Sequence, residues 1–130
     1  MVEGPDEAVV ELATRLFDLA RHGETQRLAA YVDAGVSANL SNHRGDSLVM
    51  LAAYHGHADT VRALLQRGAA PDQPNDRGQT PLAGAVFKDE PAVIEALVAA
   101  GADPGAGHPL AVATARMFER PDLAQLLGAD

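Results

Sequence analysis

The run Tyr54-His55-Gly56-His57 holds two imidazoles, the side chain that most often ligates a metal. Two residues apart, they do not share a helix face. A zinc site also needs two further ligands, and the chain has no cysteine. His22, His43 and His108 are scattered along the sequence, and His108 precedes a proline, where a helix cap is expected. Nucleophilic chemistry has little to draw on. The serines are Ser37, Ser41 and Ser47, none lies in a Gly-x-Ser-x-Gly turn, and Ser47 stands where a helix N-cap belongs. Gly45 and Gly78 are isolated turn glycines and form no phosphate-cradling loop. No catalytic, metal or cofactor-binding residue is assigned, and a non-enzymatic protein is expected.

The elements that carry these residues repeat. Gly35, Gly68 and Gly101 stand 33 residues apart, and each closes an apolar segment. Tyr31-Val32, Leu64-Leu65 and Leu97-Val98 keep the same spacing, as do Leu28, Val61 and Ile94. Ala20, Ala53 and Val86 share one position, and Gly23 and Gly56 another. A fixed period of this length marks a stack of small supersecondary units, none of which can bury its apolar face alone.

Each unit predicts a helix pair. Ser47 caps a helix over Leu48 to His55, Gly56 breaks the chain, and Asp59 to Gln66 carries Val61, Leu64 and Leu65 on one face. Thr80 and Pro81 open the equivalent helix of the next unit. The connecting stretches, rich in Asn, Asp, Pro and Gly, are turns. In the first unit Val9, Leu12, Leu16 and Leu19 are expected to face inward, with Glu11, Arg15 and Asp18 in water. The link from Gly101 to Pro109 is shorter than that from Gly68 to Pro81, so a truncated turn is expected there.

The bulk figures fit one α-helical domain. The chain has 130 residues, 47% hydrophobic and only 4% aromatic, with alanine dominant. That composition suits closely packed small helices better than a β-sandwich. The net charge is −8, and Glu3, Asp6, Glu7 and Glu11 lie in the first eleven residues without a Lys or Arg. Nucleic acid and anionic membranes are therefore not expected as partners. An acidic N-terminus is no signal peptide, and no apolar run approaches a membrane span. A cytoplasmic protein is expected. Lys88 is the only lysine beside nine arginines, which with the abundant alanine suggests a bacterial gene.

Thr80-Pro81-Leu82 with Ala85, an outer helix, and then Gly101-Ala102-Asp103 resembles the ankyrin repeat. "GDSLVMLAAYHGHADTVRALLQRGA" fits the same pattern, with Ser47 for threonine and Leu48 for proline. The resemblance spans residues 12–130. It implies an all-α solenoid of about four helix-turn-helix repeats with hairpin fingers. The expected division is a capping repeat over 1–41, repeats over 42–74 and 75–106, and a shortened capping repeat over 107–130, a complete domain. Gly56-His57 corresponds to the family's Gly-His turn, which implies an imidazole bonded to local backbone rather than a metal ligand.

The resemblance also implies a binding surface, since fingers and inner helices line a concave groove for partners. By position, Ser41, His43, Arg44, Asp46, Tyr54 and His55 belong to it in one repeat. Pro74, Asp76, Arg77, Gln79, Phe87 and Lys88 belong to it in the next. Tyr54 and Phe87 stand at one equivalent position and are expected to be neighbours, as an anchor or as packing between helices. Arg44 and Arg77 share a finger position, with Lys88 near, a small basic strip suited to an acidic partner. The expected function is a monomeric protein-protein interaction module without cofactor. The alternatives are a regulator that occludes an enzyme's active site and, less in keeping with the residues, a small-molecule-binding or enzymatic protein.

Overall fold

The computed structural model describes residues 7–107 and 120–127. The described helices are α1 (Glu7–His22), α2 (Thr25–Asp33), α3 (Leu48–Tyr54), α4 (Ala58–Gln66), α5 (Pro81–Phe87), α6 (Pro91–Ala99) and α7 (Pro121–Leu126). Among the described residues the only β-pairing is a single antiparallel bridge, Ser41 with Ser47. The helices lie in two layers. The inner helices α1, α3 and α5 pack side by side, and the outer helices α2, α4, α6 and α7 follow one another behind them.

Local chemistry starts and stops the helices as the spacing predicts. The Met50 N–H donates to Ser47 Oγ at 3.0 Å, and the Ala83 N–H donates to Thr80 Oγ1 at 3.2 Å. Each cap is worth about 1 kcal/mol, and both hydroxyls are buried, so losing either would strand a helix donor. Pro81 takes the first helical position. Gly68 follows the end of α4 with φ 91°.

The core lies between the two layers. Leu16, Leu28, Leu48, Val61, Leu64, Leu82, Ile94 and Leu97 are all buried within it. The inner layer is held close by small residues: Ala52, Ala53 and Ala85 have no exposed surface. A Cβ on Gly84 would sit 3.1 Å from Met50 Cε, so α3 and α5 approach across a position that a larger residue would crowd.

The first helix departs from expectation. Leu16 and Leu19 are buried, but Val9 is 61% exposed and Leu12 37%. The cause is length. With 16 residues, α1 runs for about 24 Å, while the seven-residue α3 beside it spans about 10 Å. An amphipathic pattern identifies a helix; burying its stripe requires a neighbour of matching reach.

The turns between inner and outer helices form a series. Gly23, Gly56 and Asp89 stand at equivalent positions with φ of 70°, 79° and 57°. The first residue of the following turn lies over each. A Cβ at Gly23 would fall 2.5 Å from His57 Nδ1, and one at Gly56 would fall 2.7 Å from Glu90 Oε2. At the third position, Arg120 pairs with the Asp89 carboxylate. His57 Nε2–H donates to the Arg21 carbonyl at 2.7 Å. Its bond is thus to the backbone of the preceding repeat, not to its own turn as expected. The imidazole ties two repeats together because glycine leaves the space beneath it.

A second series joins the repeats at their outer edge. The Ala70 N–H donates to Asn39 Oδ1 at 2.7 Å, and the Asp103 N–H donates to Asp72 Oδ1 at 2.8 Å. Beyond Gly101 the chain turns at once, with the Gly105 N–H on Asp103 Oδ1 and the Ala106 N–H on the Asp103 carbonyl. The expected helix start at His108, Pro109 and Leu110 lies outside the described residues. Leu127, after α7, is buried against the core.

Candidate functional site

The two turns that lead into α3 and α5 are built alike. Asn42 Oδ1 accepts from the Arg44 N–H at 2.9 Å and the Asp46 N–H at 3.0 Å. Asn75 Oδ1 accepts from the Arg77 N–H at 2.9 Å and the Gln79 N–H at 3.0 Å. Each asparagine also closes its turn through its own backbone N–H, to the Asp46 and Gln79 carbonyls. These side-chain bonds hold a four-residue tip in one shape without a sheet.

The tips are then tied to each other. The Asp76 N–H donates to the Arg44 carbonyl at 3.0 Å. Asn75 Nδ2 donates to Asp46 Oδ1 and to Gln79 Oε1, both at 2.9 Å. The fingers therefore form one rigid wall.

Beside that wall lie α3 and α5, whose exposed residues, Tyr54 and Phe87, end the two helices. Between them is an open groove of about 810 Å³, floored by Met50, Leu51, Ala83 and Gly84. Nine of the twelve expected residues line it. His43, Arg44 and Asp46 come from the first finger, and Asp76, Arg77 and Gln79 from the second. Tyr54 and His55 come from the end of α3, and Phe87 from the end of α5. Ser41, Pro74 and Lys88 stand outside the lining. Ser41 is engaged in the bridge to Ser47, and Pro74 precedes the second tip. Lys88 caps α5 at the rim, with its ammonium 5.0 Å from the centre of the Tyr54 ring.

Tyr54 is 37% exposed and Phe87 56%, so neither ring is consumed by the core. A Cβ on Gly84 would lie 3.6 Å from Tyr54 Cδ1, and the Tyr54 ring meets the His55 ring edge-on at 5.7 Å.

Sequence reasoning missed Arg21, which reaches the groove from α1 and pairs with Asp18 at 2.9 Å. It also missed Asn42 and Asn75, although their common spacing of 33 residues was a usable signal. Met50, Leu51, Ala83 and Gly84 carry no polar chemistry to mark them, and only their placement on the floor reveals them.

Burial and the surrounding cations act on His55 in the same direction. Partial burial, then the positive fields of His57, Arg21, Lys88 and His22, lower its pKa below the ordinary 6.5. Among the described residues no three His, Asp or Glu side chains converge as a metal site, and every buried side-chain polar atom has a hydrogen-bond partner. No described helix is long and apolar enough to cross a membrane.

A family model described as ankyrin repeats, in three copies, matches residues 16–107. The chain belongs to the ankyrin repeat family. A Pseudomonas aeruginosa protein described as an ankyrin repeat protein is 54% identical over 44 residues, covering 34% of this chain. The match spans 26% of that relative's length, about a quarter. Ankyrin repeats are in general modules for protein-protein interaction rather than catalysts. In ankyrin terms, the cross-tied tips are the fingers and α3 and α5 are inner helices, which gives the groove its familiar walls.

Proposed function

We propose that the chain is a non-enzymatic interaction module that binds a protein partner in the groove between its fingers and inner helices. The observation that carries this reading is the pair Tyr54 and Phe87. They stand exposed at equivalent positions in a groove whose shape is set before any partner arrives. Rigid walls keep the ordering cost of association low. The mechanism is presentation of this preordered surface, by a monomer in the bacterial cytoplasm, with residues 1–41, 42–74, 75–106 and 107–130 as its four units. Ser41, Pro74 and Lys88 extend the contact around the rim.

Affinity capture with the tagged wild-type chain and the Tyr54→Ala/Phe87→Ala variant tests the reading. The variant is expected to lose the proteins that the wild type retains, with its melting temperature within a few degrees. Unchanged capture together with a lowered melting temperature would assign both rings to packing and refute the groove.

A further inference from the structure

The chain carries a net charge of −8, yet cations converge on the groove. Arg21, Arg44 and Arg77 line it, and Lys88 stands at its rim. Among the described residues Arg21, Arg62, Arg67 and Arg120 each hold an aspartate. Among the described residues Arg44 and Arg77, at the two fingertips, hold none, and neither do Arg15 and Arg27, which stand outside this groove. The groove's own anions are Asp46 and Asp76. Asp46 is half-buried and accepts the Asn75 amide, so it is turned toward the finger wall. Asp76 is exposed and partly offsets the arginines.

The backbone positions that carry these two arginines are held in a fixed relation. Each arginine's backbone N–H is clamped by the asparagine two residues before it, and the Arg44 carbonyl accepts the Asp76 N–H. Adjacent stacked helices lie roughly 8–10 Å apart, which sets the step from one fingertip to the next. In an extended chain, residues two apart point the same way and lie about 6.7 Å apart. Long arginine side chains close the difference. The intervening residue points to the opposite edge, where Tyr54 and Phe87 stand across the groove floor.

We infer that the groove takes an extended segment of the partner with an acidic-apolar-acidic pattern, its two carboxylates on Arg44 and Arg77 and its apolar side chain on Tyr54 and Phe87. This inference rests on the groove reading given under Proposed function and adds the partner's chemistry to it. A single-stranded nucleic acid would also offer anions and stacking faces. It carries a charge at every nucleotide, however, and the acidic surface beyond the strip repels a continuous phosphate backbone.

The test uses labelled twelve-residue peptides in a Gly/Ser background and fluorescence anisotropy with the full chain. Their centres are Glu-Leu-Glu, Lys-Leu-Lys, Glu-Gly-Glu and the reordered Leu-Glu-Glu, and an oligothymidine serves as the competing anion. Glu-Leu-Glu is expected to bind best, at least about tenfold tighter than Lys-Leu-Lys, and to weaken as salt is raised. Arg44→Glu/Arg77→Glu is expected to invert the preference between Glu-Leu-Glu and Lys-Leu-Lys, with an unchanged melting temperature, since neither side chain holds the fingers. Tyr54→Ala/Phe87→Ala is expected to bring Glu-Leu-Glu down to the level of Glu-Gly-Glu. The inference is overturned if Glu-Leu-Glu fails to bind at about 1 mM. It is equally overturned if the charge-reversed chain binds Glu-Leu-Glu unchanged, or if oligothymidine binds more tightly. Captured proteins lost with Tyr54→Ala/Phe87→Ala but kept with Arg44→Glu/Arg77→Glu would overturn the acidic pattern and leave the groove reading standing. Proteins indifferent to both variants would overturn both.

Discussion

Leu64→Ala should be among the most damaging single changes in the outer layer. Leu64 is 1% exposed, on α4, with α2 packed on one side and α6 on the other. Truncation removes three carbons, worth about 2.4 kcal/mol of transfer free energy at 0.8 kcal/mol each. The cavity left behind adds to that unless its walls close in. Here closure is resisted from both sides. The repeats are pinned by the Asn39–Ala70 and Asp72–Asp103 bonds and by His57 on the Arg21 carbonyl. A cost in the middle or upper part of the usual range for such truncations, about 3–4 kcal/mol, is expected. Urea unfolding followed by far-UV circular dichroism measures it, with half-buried Leu65→Ala as a control that should cost about 1 kcal/mol. The midpoint should fall while the slope stays constant. A loss below about 1 kcal/mol for Leu64→Ala, or one no larger than for Leu65→Ala, would refute the placement of this side chain at the junction of three helices.

Two further outcomes follow from individual contacts. Asn75→Ala removes the acceptor for the Arg77 and Gln79 amides and the donor to Asp46, so it should cost about 1–3 kcal/mol and raise hydrogen exchange at those two amides; protection equal to wild type would show that the turn does not depend on this side chain. For His55, burial and then the surrounding cations lower the folded-state pKa below 6.5, so the unfolded chain binds more protons as pH falls through that value. The histidine's contribution therefore favours the fold fully above about pH 6.5 and declines below it. An NMR titration should place its midpoint below 6.5, and Lys88→Ala should move it back toward that value; a midpoint above 6.5 would contradict the arrangement.

Most of the backbone architecture was legible in the residues because helix caps and repeat spacing are local or periodic signals. Ser47, Thr80 and Pro81 announce helix starts through side chains that act within three residues of themselves. The recurrence of Leu28, Val61 and Ile94 announces that one surface is buried again and again. The ends were less legible. Val9 and Leu12 keep the helical stripe but lack a neighbour of matching length, and no period within α1 records how far α3 extends. Within the groove, Tyr54, Phe87, Arg44 and Arg77 could be found by their spacing. Their exposure could not, since an aromatic residue on an inner helix serves a stack equally well buried.

The 33-residue period, together with capping and turn chemistry, is enough to determine a stack of helix pairs, because each unit carries an apolar face it cannot cover by itself. Contacts between units obey no such local rule. His57 bonds the Arg21 carbonyl, Arg120 meets Asp89, Asn75 reaches Asp46, and Arg21 enters the groove from α1, all across repeat boundaries. In the three bonded pairs the partner lies 29 or more residues away in the chain, at a distance set only when one repeat settles on the next. The sequence determines that the repeats must stack; stacking decides which polar groups are used up holding them together and which remain for a partner.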